Sequence, residues 1–199
     1  MKIWKLRCVS NDYASLLGIE NVYSFDEIRS FNGRSLINEW KPIKVERIRS
    51  KEDECKMLGD SPFAVQVGGL PVLSKRAVNV LEPILKGHAE FLPLICKEGD
   101  FYAVNVTTVL NATNWEKAKA IPFKKTNTNK IMRFEKYAFL PEIVKDIPIF
   151  RLQDEILRLP FISNWVADTI DAFQLRIAKI LVWDSEHEGD NSLYPVYPY

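Results

Sequence analysis

The chain has 199 residues, 27 Lys and Arg against 26 Asp and Glu, a net charge of +1, and 47% hydrophobic residues. That length suits one domain, and ample apolar content with little net charge excludes a disordered chain. The balance also disfavours a protein held on nucleic acid by bulk positive charge. Cys8, Cys55 and Cys96 lie far apart without a CxxC pair, and His88 and His187 are the only histidines. A disulfide framework or structural zinc site needs more ligands at closer spacing, so free thiols in a reducing compartment are expected. Lys2, Lys5 and Arg7 interrupt the first apolar run, which excludes a signal peptide. No stretch approaches the ~20 apolar residues of a membrane helix. The expected location is the cytoplasm, with no membrane partner.

Residues 2–9 alternate, with Trp4, Leu6 and Cys8 on one side and Lys5 and Arg7 on the other, the period of a half-buried strand. Residues 11–40 are mixed and turn-rich, with a short helix or turn expected near 26–30. Residues 42–48 alternate again and predict a second strand, and 51–56 a charged turn or short helix. Gly68-Gly69 before Pro71 marks a break. Ser74 then suits a helix N-cap, with Ala77, Leu81, Ile84 and Leu85 at helical spacing. Pro83 lacks the amide that would bond four residues back, which predicts a kink or early end there, with Gly87 closing the segment.

From Glu90 the period returns to two. Residues 91–96 and 101–110 flank the turn Lys97-Glu98-Gly99-Asp100, a hairpin pattern. In its second arm Tyr102, Val104, Val106 and Thr108 share one face, and Ala103, Asn105, Thr107 and Val109 the other. The polar, Asn-rich run 124–130 reads as a loop. Short strands are expected at 131–134, 137–140 and 147–152. Ser163 can cap a helix with Val166, Ile170 and Phe173 on one face. Residues 175–183 predict a core strand with Leu175, Ile177, Leu181 and Trp183 on the side of Lys179. Strand runs with separate helices imply a single α+β domain whose sheet of short strands is mostly antiparallel, with a few short helices.

Catalytic grammar is thin. Ser74 and Cys96 are the natural nucleophiles, but neither lies in a GxSxG elbow or a Cys/His motif. No Walker loop, GxGxxG or HExxH occurs, and Asp154-Glu155 cannot be told from ordinary surface acids. His187 stands among Asp184, Glu186, Glu188 and Asp190, a segment without the alternating oxygen ligands of a calcium loop that reads as a solvated acidic loop. His88, at a helix end, suits a cap or surface role. No enzyme activity, metal or cofactor is expected. Charge is unevenly spread, however: residues 137–199 carry a net of −5, and residues 1–136 a net of +6 concentrated in 41–51 and 117–136. Such asymmetry can steer a charged partner. At the C-terminus Tyr194, Tyr197 and Tyr199 stand among Pro195 and Pro198, as a strip that packs on the domain or one that binds a partner.

The middle of the chain resembles a known family. GGLPVLSKRAVNVLEPIL (68–85), EFLPL (90–94) and FYAVNVTTVLNA (101–112) are similar to immunity family eleven of bacterial polymorphic toxin systems. Its members read as a Pro-Val-hydrophobic-Ser-x-x-Ala helix start, a Glu-x-Leu-Pro strand and a Tyr-x-x-Asn-Val strand. The aromatic stretch 137–140, IFRL at 149–152 and LRIAKILVW at 175–183 extend the resemblance. It covers about 68–183, with the strands of 1–67 expected to pack on that core. Asn111 stands where members often have Asp, and Pro83 departs from the pattern.

The resemblance implies a non-enzymatic neutraliser that binds the C-terminal domain of a cognate toxin, and it carries over no catalytic residues. Many such toxins act on nucleic acid through basic grooves, so the acidic C-terminal third is the expected contact. Asp184, Glu186, Glu188 and Asp190 would steer, and Trp183 and Tyr194 would anchor. The alternative is a nucleic-acid-binding module on the basic stretch 117–136, with Trp115, Phe123 and Phe134 available for stacking.

Overall fold

The largest sheet draws its strands from both ends of the chain. The computed structural model describes residues 1–7, 13–18, 31–48, 56–62, 64–65, 71–122 and 131–187. In it, β1 (Lys2–Arg7) lies between β14 (Ala178–Asp184) and β13 (Phe161–Ser163), and the sheet continues through β12 (Ile149–Leu152) to β9 (Val109–Leu110). The pairings are antiparallel except β12 with β9. The alternation in β1 is real: Trp4 and Leu6 turn toward the helices, Ile3 and Lys5 toward an aromatic core. Both faces are covered, so β1 is a central strand instead of a half-buried one.

A bulge separates the two halves of its pairing with β14. Ile3 opposes Trp183 but Trp4 opposes Leu181, leaving Val182 over. An extra residue inverts the side-chain alternation beyond it. Leu175 and Ile177 therefore pack in the helix-side core, whereas Val182 and Trp183 both enter the aromatic core. Trp183 does not share a side with Leu175 and Ile177 as the simple period predicts.

Two Ser-capped helices cover the first face. In α1 (Lys75–Leu85) the Ser74 hydroxyl accepts from the Ala77 amide at 3.2 Å, and Ala77, Val78, Leu81 and Leu85 are buried. The helix passes through Pro83 to Leu85. The carbonyl that Pro83 cannot serve belongs to Asn79, an exposed residue that water reaches. Gly87, at φ +84°, closes the segment in the left-handed conformation its lack of a Cβ permits. After α2 (Pro141–Val144), α3 (Asn164–Ala172) starts with Ser163 accepting from the Val166 amide. Val166, Ala167 and Ile170 are buried, but Phe173 is 55% exposed. It stands at the C-cap, one residue past the last helical position, so helical spacing no longer aims it inward.

The expected hairpin exists, with each arm shared between two sheets. β8 (Phe101–Val106) pairs with β6 (Ala89–Pro93) and with β5 (Val72–Ser74). Beyond Pro93, β7 (Ile95–Cys96) pairs instead with β3 (Lys44–Arg47), and beyond Val106 the chain moves to β9. Val104 and Val106 face the helices, while Phe101 and Ala103 face a further core with Leu16, Phe31, Leu36, Val45 and Leu92. That core is backed by β4 (Ala64–Val65), β2 (Leu16–Gly18), β3 and β7, in that order. β10 (Lys119–Pro122) and β11 (Ile131–Lys136) form a separate two-stranded ribbon. Residues 137–140 contribute only the bridge between Thr113 and Phe139.

The fold is a single α+β domain of short, mostly antiparallel strands with a few helices, as expected. Among the described residues no helix is long and apolar enough to cross a membrane. The expectations for 26–30, 51–55, Gly68-Gly69 and 124–130, and those for Cys8 and Cys55, fall outside the described residues.

Candidate functional site

Of the contacts expected in the C-terminal acidic segment, two that the structure describes, Trp183 and Asp184, are buried. Trp183 is 0% exposed and packs edge-on against Phe139 with ring centroids 5.7 Å apart. A side chain wholly inside the aromatic core offers a partner no surface, so Trp183 is no anchor. Asp184 is 3% exposed. Its carboxylate accepts from the Glu186 amide at 3.1 Å and lies 3.1 Å from His187 Nδ1. Burial pushes its pKa up, but these contacts and the charge of Lys2 outweigh it and hold the group below its usual range. Asp184 therefore ties the turn after β14 and does not steer. Glu186 and His187 are exposed, while Glu188, Asp190 and Tyr194 lie outside the described residues. Ligand atoms of Asp184, Glu186 and His187 come within 4.8 Å of one another, but both Asp184 oxygens are already committed to the turn.

Chemistry concentrates on the other side of β1. Lys5 sits on the aromatic face, and its Nζ donates to Glu155 Oε1 and to the Tyr137 hydroxyl, each at 2.6 Å. The Tyr137 hydroxyl donates to Glu155 at 3.0 Å. The ammonium also stands 4.9 and 4.8 Å from the ring centroids of Tyr137 and Phe161, within cation–π range. The side chains of Lys5 and Glu155 are 17% and 7% exposed. Burial lowers the Lys5 pKa, outweighing the opposing pull of Glu155. Burial, reinforced by the Glu155 charge, pushes Tyr137 well above its ordinary range.

This trio floors an open cleft of about 530 Å³, walled by Met132 and Phe134 with Arg133 and Arg158 beside them. Arg151 holds the far wall in place. It is 2% exposed, and its Nη1 donates to the carbonyls of Ile156 at 2.8 Å and Arg158 at 2.7 Å. It thereby fixes the segment that follows the 3₁₀ turn Gln153–Glu155 and carries Arg158. Burial lowers its pKa to about 10, a value that leaves it charged at neutral pH.

The near wall is a ladder of rings. Trp115, Phe134, Tyr137 and Phe139 stack in succession at centroid distances of 5.9, 4.8 and 6.0 Å and interplanar angles of 29°, 24° and 8°. Its inner end is buried at Phe139, and its outer end, Trp115, is 52% exposed, with Met132 36% exposed nearby on β11. Of the rings singled out for stacking, Trp115 and Phe134 meet, while Phe123 is outside the described residues.

Sequence reasoning missed the Lys5–Tyr137–Glu155 trio. The usable signal was a lysine inside an otherwise apolar alternating strand, but its partners are 132 and 150 residues away. The nucleophile candidates are otherwise engaged. Ser74 Oγ donates to Asp60 at 2.7 Å besides capping α1, and burial pushes the Cys96 thiol up, away from the reactive thiolate. His88 Nδ1 pairs with Thr108 Oγ1 at 2.8 Å, and its amide donates to Leu85 at the end of α1. No protein-family model and no curated protein sequence matches this chain.

Proposed function

We propose that the chain is a non-enzymatic immunity-type protein of the cytoplasm that binds and occludes the C-terminal domain of a bacterial polymorphic toxin. The observation that carries this reading is the β10–β11 face. Among the described residues the ribbon pairs with no further strand; its Met132 is exposed beside a charged cleft, and its Phe134 carries the exposed Trp115 of the preceding turn stacked on it. Exposed aromatic and Met side chains ringed by charge are the composition of interface cores and rims. The resemblance of residues 68–183 to immunity family eleven supplies the partner class. A standard interface buries about 800 Å² on each side, an area that this ribbon and cleft are placed to share. The contact proposed is therefore this face and not the strand end at Trp183.

The test is growth protection. Cells expressing the toxin domain encoded beside this chain's gene should survive when the chain is co-expressed, and the two should co-purify in equal amounts. Killing that co-expression leaves undiminished, with no complex, would refute the reading.

One observation favours a second reading, a nucleic-acid-binding module. Trp115 ends a ring ladder with more than half its surface exposed, in the turn before β10 that also carries Lys117, with Lys119 opening β10. An added base could extend that stack. Oligonucleotide binding that weakens steeply with salt and with Trp115→Ala would favour it.

A further inference from the structure

The cleft beneath the ribbon has an unequal charge inventory. Its one carboxylate, Glu155, is matched by Lys5 at 2.6 Å. Among the described residues Arg158 has no carboxylate partner, and its Nη2 donates to the Met132 carbonyl at 3.2 Å. That bond uses one Nη2 proton and leaves Nε–H, the Nη1 protons and the second Nη2 proton, so Nη2 with either neighbouring nitrogen still offers a planar edge matched to the two oxygens of a carboxylate. Met132 and Phe134 line the approach, and apolar walls suit a short methylene stem. Lys5 and Glu155 cancel at the floor, so the excess at the mouth is positive.

We propose that this cleft receives an acidic side chain of the bound toxin domain, an Asp or Glu whose carboxylate is held by Arg158 against the Met132–Phe134 wall. The inference rests on the immunity reading and names the chemistry of its contact. A carboxylate fits better than a phosphate diester because the site offers the open edge of Arg158 at the end of a partly apolar passage, while Arg133, the other guanidinium of the lining, stands 3.9 Å from Glu135, and the two do not make a basic track following a backbone. Arg151 acts as a positioning residue, since it fixes the segment that carries Arg158.

Calorimetric titration of the purified toxin domain tests this with three forms of the full chain: wild type, Arg158→Glu and Lys86→Glu. Lys86 is exposed at the C-cap of α1, whose core covers the opposite face of β1, so its reversal makes the same change in net charge away from the cleft. The expected result is at least a tenfold loss of affinity for Arg158→Glu, within the range for losing a desolvated charge pair, and no change for Lys86→Glu. Met132→Glu, which sets a carboxylate at the mouth, should give the same loss and stands in should Arg158→Glu fold poorly. Equal weakening by Lys86→Glu, or a complex indifferent to Arg158→Glu, would overturn this inference and leave the immunity reading standing. No complex with wild-type chain would overturn both. A single-stranded oligonucleotide that binds wild type and is released by Arg158→Glu would assign the cleft to phosphate and overturn it as well.

Discussion

Replacing Lys5 by Met leaves Glu155, 7% exposed, with the Tyr137 hydroxyl but without its counter-charge. Removing one partner of a buried ion pair costs about 3–5 kcal/mol. Lys5 keeps 17% exposure at the floor of an open cleft, so the lower end, about 3 kcal/mol, is expected. For a chain of this size that lowers Tm by about 6–12 °C. Glu155→Gln alone strands the ammonium in the same way, though the amide oxygen can still accept from Tyr137. The double variant Lys5→Met, Glu155→Gln removes both charges, keeps the Tyr137 bond, and should recover most of the loss, because apolar replacement of a whole buried pair is often nearly neutral. The four proteins form a double-mutant cycle read by urea unfolding. With single losses of about 3 kcal/mol each and only about 1–2 kcal/mol left in the double variant, a coupling of about 4 kcal/mol is expected. Single losses that simply add, with coupling under about 0.5 kcal/mol, would refute the buried pair as the organiser of the cleft.

Three further outcomes follow from other parts of the structure. Asp60, 6% exposed, accepts from Ser74 Oγ, Arg76 Nη1 and the Arg176 amide at 2.7–2.8 Å; Asp60→Ala should cost about 3 kcal/mol in urea unfolding, at the level of charge-assisted bonds, and a loss under about 1 kcal/mol would contradict the network. Burial raises the Glu90 pKa, but bonds from the Leu36 amide, Ser35, Asn105 and the Ile37 amide outweigh it and hold the group below its ordinary 4.5. The native state thus favours the carboxylate, so its contribution is complete above about pH 4.5 and lost as pH falls through the lowered folded-state value; Glu90→Gln should flatten that part of the acid unfolding profile, and an unchanged slope would contradict the assignment. A Cβ on Gly33, at φ +95°, would overlap Val109 Cγ2, so Gly33→Ala should lose about 2 kcal/mol through strain and overpacking, seen as a Tm drop of several degrees.

Local signals carried the elements that local chemistry decides. Ser74 and Ser163 announce their helices because a hydroxyl before an apolar period satisfies free amides in any tertiary setting, and the Lys97–Asp100 turn announces its hairpin for similar reasons. Residues 42–48 alternate and yield β3. What stayed hidden depends on partners distant in sequence. β1 reads as one solvated face and one buried face, yet it lies between β13 and β14 from far along the chain, and Tyr137, Glu155 and Phe161 cover Lys5 on one face while the helix-side core covers Leu6 on the other. The bulge opposite Ile3 moves Trp183 from the helix-side face its period assigned to the aromatic core, where it is fully buried. Asp154 and Glu155 look alike in sequence, but the first accepts from Thr113 at 2.8 Å and the second meets Lys5. Strands as short as β2 and β4, of three and two residues, hold too few residues to show a period at all.

The most direct test of the proposed binding face is hydrogen exchange of the chain, alone and mixed with the toxin domain proposed as its partner. Amides of Lys119, Ala120 and Ile121 and of Ile131–Lys136, together with those around Trp115 and Arg158, should slow in the complex, while the exposed end of α1 at Lys86 keeps its free rate. Slowing confined to the turn at Glu186 and His187 or to α1, with the ribbon unchanged, would contradict the assignment of this face.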